Sequence, residues 1–274
     1  MSEISIENVT FSYTEDEVII DGVNLKIESG DFVCVLGQSG CGKSTLLRLI
    51  AGLRKPQKGR ILFDGKEREE TAPDLGVVFQ DYSLFPWFSA GYNIVLAMKQ
   101  KYPEKSKKEL KSIVLDYFEE VGLDKQVYNK YPFELSGGMR QRCAICRSLA
   151  LNNSVLLMDE PFGALDAVTR ARLQDITMDL WKKEKDKTVV FITHDVDEAI
   201  LLANKIVVLG LKPSRVIYQY EFCDKKALSR SEIVTDQETM KIRSNLLSVL
   251  NMDIEQRITQ GDFKESSLLS NNQL

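Results

Sequence analysis

A chain of 274 residues can enclose a sizeable core, as one large domain or two small ones, and its 43% hydrophobic and 28% charged residues are those of an ordinary soluble globular protein. A net charge of −4 excludes bulk attraction to nucleic acid or anionic lipid. The opening MSEISIENVTFSY is acidic where an export signal needs basic residues, and no apolar run approaches the roughly 18 to 20 residues of a membrane span. A soluble, unexported protein is therefore expected, with any membrane role reached through a partner.

The first structured signal is GDFVCVLG, an apolar run closed by glycine and followed by the helical KSTLLRLIAGL: strand, tight loop, helix. GRILFDG and DLGVVFQ read as two further strands. From about 89 to 151 the pattern turns helical, with apolar positions at helical spacing in PEKSKKELKSIVLDYFEEVGL and a second helix from about Gly137 through Ala150. Strands return in SVLLMD, TVVFIT and KIVVLG, with the amphipathic AVTRARLQDITMDLWKKEKD between the first two. Strands alternating with helices imply a parallel sheet with crossovers, and so an α/β domain carrying a helical insertion. Beyond about Asp224 one helix is expected in ETMKIRSNLLSVLNM, and the polar end KESSLLSNNQL is expected to fray. The odd set Cys34, Cys41, Cys143, Cys146 and Cys223 reads as reduced thiols. Cys143 and Cys146 lie in a helical stretch without a second pair or a nearby histidine, which favours packing over zinc binding.

GQSGCGKST supplies the clearest chemistry. Gly37, Gln38, Ser39, Gly40, Cys41, Gly42, Lys43, Ser44 and Thr45 match G-x-x-x-x-G-K-[ST] in full, in a strand–loop–helix context. Glycines let successive N–H groups turn inward onto phosphate oxygens, and the helix starting near Lys43 adds its positive end. Lys43 should reach the β- and γ-phosphates of a nucleoside triphosphate, Ser44 should ligate Mg²⁺, and Thr45 can donate to a phosphate. Asp159, ending VLLMD, is the expected Mg²⁺ carboxylate, acting through a coordinated water. Glu160 points elsewhere by strand alternation and is placed to orient or deprotonate an attacking water. Ser136, Gly137 and Gly138 open a helix and form a second anion site. His194 is the chain's one histidine and closes the apolar run VVFIT; by itself it reads equally as a satisfied polar residue at a strand end.

LSGGM after a phosphate loop and before LLMDEP, then GALD and the lone histidine, resembles the ATPase subunit of ABC transporters, over about residues 1 to 220. That resemblance implies a P-loop NTPase (RecA-like) core with a mainly parallel sheet, an N-terminal antiparallel β region and an inserted helical subdomain. The implied division is an ATPase domain over 1–224, its helical insertion at about 89–151, and a C-terminal helical tail over 225–274. It also implies ATP and Mg²⁺ as ligands, and two copies, a homodimer, paired head to tail so that Ser136, Gly137 and Gly138 of one cap the γ-phosphate held by the other. Tyr13 would stack on adenine, Gln80 would touch Mg²⁺ and the water, Gly163 to Asp166 would form the loop between subunits, and His194 would contact the γ-phosphate. Two departures stand out: Met139 replaces the commoner glutamine, and Cys41 occupies a variable loop position, where a bulky thiol reagent is expected to block ATP binding.

DYSLFPWFSAGYNI with MDEPFGALDAVTRARLQD most resembles the nitrate, sulfonate and taurine importer branch, through Pro86–Trp87 and Phe162–Gly163. The resemblance implies ATP-driven uptake of a small solute, an anion of that type. Partners would be an integral membrane permease and, indirectly, a periplasmic or lipid-anchored solute-binding protein, with no nucleic acid. The subunit would sit peripherally on the cytoplasmic face of the membrane. Phe85, Trp87 and Phe88 would form a groove for a permease helix, against the alternative that they are core. Two other readings are a soluble ABC ATPase acting on DNA or ribosomes and a lipid-exporting subunit. The first is disfavoured by the short insertion between Thr45 and Ser136, the absence of sustained heptads and the single cassette.

Overall fold

The computed structural model describes residues 3–15, 17–67, 74–183, 186–222 and 228–259. Cys223 and KESSLLSNNQL lie outside them.

Among the described residues, ten strands and eight α-helices follow in chain order: β1 (Ile4–Thr14), β2 (Glu17–Ile27), β3 (Phe32–Leu36), α1 (Lys43–Ile50), β4 (Lys58–Phe63), β5 (Lys66–Glu67), β6 (Leu75–Val78), α2 (Ala90–Lys101), α3 (Lys107–Glu120), α4 (Gly137–Leu151), β7 (Val155–Asp159), α5 (Ala167–Lys183), β8 (Thr188–Thr193), α6 (Val196–Leu202), β9 (Lys205–Leu209), β10 (Val216–Glu221), α7 (Glu232–Thr235) and α8 (Gln237–Thr259). They build two sheets, an antiparallel one in the order β2-β1-β4-β5 and a six-stranded one in the order β10-β9-β3-β8-β7-β6. In the second, only β10 runs antiparallel, against β9. This is the expected α/β core with its N-terminal antiparallel region. The helices α2 to α4 lie between β6 and β7, strands that pair side by side.

The central strands are apolar throughout because both faces of the sheet are covered. In β3, Phe32, Cys34 and Leu36 enter the core beneath the helical half, while Val33 and Val35 enter the core shared with α1 and the antiparallel sheet. The same two-residue alternation divides Val189 and Phe191 from Val190 and Ile192 in β8. Beyond the core, α8 lays Ile242 and Leu246 into the helical-side core and binds α6 through Arg243, whose Nε and Nη2 donate to Asp197 at 2.5 and 3.2 Å. The carboxy-terminal helix is thus longer than its sequence pattern indicates and part of the packed structure.

Cys34, Cys41, Cys143 and Cys146 are all buried. Burial pushes each thiol above its ordinary range, Cys143 to about 12. Cys41 needs a correction in particular: its side chain turns into the core shared by α1 and the antiparallel sheet, so a reagent cannot reach it in the folded protein as the sequence reading supposed. In a Cys223→Ser variant, Ellman's reagent at neutral pH should find no fast-reacting thiol in native protein and the four others only in denaturant. Rapid native-state labelling of Cys41 would contradict this packing.

Candidate functional site

Register brings the site together. Leu36 at the end of β3 is level with Thr193 at the end of β8, and Asp159 at the end of β7 is level with Ile192. Val78 of β6 is level with Met158. The residues following these strands therefore emerge along one rim at their carboxyl ends, where open parallel sheets bind ligands. In sheet order they are the Gly37–Gly42 loop, His194, Glu160 and Gln80.

The loop after β3 closes on Gly42, whose φ of 111° no side chain adopts comfortably and which precedes the first turn of α1. Buried Lys43 donates from Nζ to the carbonyls of Gly37 and Gln38, each at 2.9 Å. A cavity of about 380 Å³ opens over this loop, lined by Ser39, Gly40, Lys43, Ser44 and Thr45 and, from other elements, by Tyr13, Gln80 and Glu160. Gly37, Gln38 and Cys41 do not line it. Tyr13, about half exposed, shares a hydrogen bond of 3.2 Å with the Thr45 hydroxyl and lies under the Arg54 guanidinium at 5.9 Å.

Asp159 continues the alternation that turns Val155 and Leu157 toward α1, and there Ser44 Oγ donates to its Oδ1 at 3.0 Å. Burial raises the Asp159 carboxyl above its ordinary range; the Ser44 hydrogen bond pulls it back and the neighbouring Glu160 charge adds to the rise. Glu160 departs from simple alternation. Its φ of 44° is a left-handed conformation costing on the order of 1 kcal/mol or more in a non-glycine residue. The turn swings the carboxylate back over the rim, with Oε1 3.8 Å from Lys43 Nζ and 3.4 Å from His194 Nδ1.

His194 is 58% exposed in its side chain, so it is no core histidine. Its flanks are fixed by residues that no motif announced. The Asp195 amide donates to Thr193 Oγ1 at 3.0 Å, the Thr193 hydroxyl donates to Glu198 Oε2 at 2.6 Å, and Gln174 of α5 donates to Glu198 Oε1 at 2.9 Å.

Ser136 stands apart from this rim in its own chain. It is exposed and caps α4, accepting from the Met139 amide at 3.3 Å. A Cβ on Gly137 would come within 3.2 Å of the Tyr82 hydroxyl, so the turn touches the segment following Gln80. Arg140 stacks over the Tyr82 ring at 5.3 Å, and Arg147 donates to the carbonyls of Ser83 and Tyr82. Further along, buried Asn93 accepts from the Phe85 amide at 2.7 Å and donates to the carbonyls of Phe85, Phe88 and Ser89. This clasp holds Phe85 and Trp87 outward at 44% and 65% exposure, which removes the alternative that they are core.

A family model described as ABC transporter matches residues 20–163. The nitrate import ATP-binding protein NrtD of Synechococcus elongatus is 43% identical over 85% of this chain and 85% of its own length. The aliphatic sulfonates import ATP-binding protein SsuB of Bacillus thuringiensis is 43% identical over 84% of this chain and 87% of its own. The bicarbonate transport ATP-binding protein CmpC of Synechocystis is 42% identical over 90% of this chain, which spans 38% of that longer relative. Among solved structures, an ATP-binding cassette captured as a dimer in a post-hydrolysis state with ADP and Pi superposes with a TM-score of 0.74 at 32% identity, covering 81% of this chain and 99% of that one. With the phosphate loop, the acidic strand end and the histidine on one rim, and relatives of this closeness along most of its length, the chain belongs to the ABC transporter family as an ATP-binding subunit, and its reaction is ATP hydrolysis.

Proposed function

We propose that the chain powers an importer of a small solute, an anion of the nitrate, sulfonate or taurine type, through a separate membrane permease. The observation that carries the catalytic part of this reading is Glu160, held on strained backbone between Lys43 and His194 at the mouth of the phosphate-loop cavity. The importer part is supported by relatives named for nitrate, sulfonate and bicarbonate, all small anions.

In this reading the amides of Ser39, Gly40 and Gly42 to Thr45 and the Lys43 ammonium hold the phosphates, and Tyr13 stacks on adenine. The Ser44 hydroxyl and the Gln80 amide line this cavity, the Asp159 carboxylate is hydrogen-bonded to Ser44, and together these hard oxygen donors suit Mg²⁺, which takes few protein ligands. When bound, that ion neutralises charge developing on the transferred phosphoryl group. Glu160 orients the attacking water and takes its proton. His194 turns Nδ1 to Glu160 and leaves Nε2 for a γ-phosphate oxygen.

Ser136, Gly137 and Gly138 act on a second copy, capping the ATP held by its phosphate loop. The exposure of Ser136, the partial exposure of Gly137 and Gly138, and their place outside their own chain's cavity support this. Residues 1–224 would form the ATPase domain, with about 89–151 as the helical subdomain, and 225–274 the tail. Phe85, Trp87 and Phe88 would receive a permease helix at the cytoplasmic face of the membrane, a solute-binding protein acting through that permease. Among the described residues no helix is long and apolar enough to cross a membrane, which accords with peripheral attachment.

Substitution of Glu160 by glutamine should keep ATP binding, lower turnover by about a hundredfold or more, and yield an ATP-dependent dimer on size-exclusion chromatography. Near-normal turnover would reject its assignment as base. Ser136→Arg should bind ATP normally yet neither dimerise nor hydrolyse; dimers of that variant with full activity would remove the capping role. Trp87→Ala should leave the isolated subunit's ATPase rate unchanged and lose copurification with the permease, and retained copurification would count against the groove.

A further inference from the structure

The nucleotide cavity is also lined by residues to which no motif points, Ile19, Arg48 and Lys212. Lys212, in the connection from β9 to β10, closes its rim beside Ile19 and Gly42. That connection is fastened to two elements, β2 and α8. The Ser214 amide donates to the Ile19 carbonyl at 2.8 Å and the Asp21 amide to the Ser214 carbonyl at 3.0 Å, tying it to β2. Arg215 Nε donates to Asp21 Oδ2 at 3.0 Å. From α8, Asp253 Oδ2 accepts from the Leu211 amide at 2.7 Å, one residue before the lysine.

Ser214 is fully buried, its hydroxyl has no hydrogen-bond partner, and it would lie 3.1 Å from a Cβ on Gly42. The connection therefore packs directly against the turn that starts α1. Lys212 Nζ pairs with Glu17 at 3.1 Å, but both side chains are substantially exposed, at 41% and 61%. Ion pairs of that kind are weak, so the ammonium exchanges such a partner readily for a polyphosphate, which offers more charge and more acceptors.

We propose that Lys212 is a second nucleotide-binding cation, taking a phosphate oxygen of the triphosphate in the cavity it lines together with Lys43, and that Asp253 of α8 is its positioning residue. This deepens the phosphate-loop reading and rests on it. It gives the carboxy-terminal helix a defined part in nucleotide affinity: α8 fixes the backbone from which the lysine reaches.

Equilibrium binding of ATP to full-length purified subunit tests this, alongside ATPase kinetics. Lys212→Ala should weaken ATP binding about tenfold, the loss expected of one charge-assisted hydrogen bond, and Lys212→Arg should restore it. Asp253→Ala should weaken ATP binding in the same direction, Asp253→Asn, which keeps an acceptor oxygen, should recover most of it, and the double variant Lys212→Ala/Asp253→Ala should be no worse than Lys212→Ala. KM should carry the change and kcat should hold. Lys43→Ala is the control. If it loses ATP while Lys212→Ala binds like the parent, the role of Lys212 is overturned and the phosphate loop stands. If Lys43→Ala itself binds normally, the phosphate-loop reading falls and this proposal with it. Additive losses at Lys212 and Asp253 would overturn the positioning role.

Discussion

The register of β3, β8 and β7 is the constraint on which the rest depends. Three apolar strands, buried on both faces, pair so that Leu36, Thr193 and Asp159 end within one residue of a common level. A shift of one residue in any pair would exchange its two core faces, so burial holds that level far more firmly than local contacts at the rim could. A phosphate loop, an exposed histidine and a pair of acids gain a common centre only because the hydrophobic core aligns them from below.

At that centre the charges oppose one another by design of the backbone. Asp159 and Glu160 are adjacent acids that alternation alone would send to opposite faces, yet Asp159 accepts from Ser44 and Glu160 lies 3.8 Å from the neighbouring Lys43. The left-handed φ of Glu160 makes this possible. The strain is repaid by the surroundings: the Glu160 amide donates to the Ile192 carbonyl at 3.1 Å, and Lys43 and His194 both face its carboxylate. A preorganised carboxylate of this kind needs no rearrangement when charge develops beside it.

Much of this was legible in the residues, for reasons that differ from place to place. The Gly37–Thr45 loop is readable because its chemistry is backbone chemistry, and glycine spacing reports backbone shape directly. The direction of Asp159 follows from period-two alternation. Alternation sends Glu160 to the face opposite Asp159, but its carboxylate position depends on a non-glycine left-handed turn that no pattern announces. Cys41 misled because membership of a phosphate loop says nothing about which way a side chain turns, and here it turns inward. β10 gives little signal because, at a sheet edge, none of its residues is fully buried, and the start of α2 within the helical stretch is set by a turn ordered by the buried side chain of Asn93. Lys212 had no signal at all, since its placement depends on Asp253, forty-one residues further along.

Coupling between the nucleotide and the rest of the subunit follows from how the remaining loops are tied. Gln80 lies two residues beyond the outermost parallel strand, and two residues later Tyr82 lies against both the capping turn at Gly137 and the guanidinium of Arg140. Arg147, half-buried in α4, grips the same segment through two carbonyls. Tyr82 and Ser83 occupy left-handed conformations at φ of 65° and 45° and their carbonyls are held, so the backbone between Gln80 and Phe85 has little slack. At one end this segment leans on α4 and the exposed Ser136 turn; at the other it enters the Phe85–Phe88 turn clasped by Asn93, from which Trp87 projects. If the proposed reaction displaces Gln80, these two fixed contacts are where the displacement would be felt.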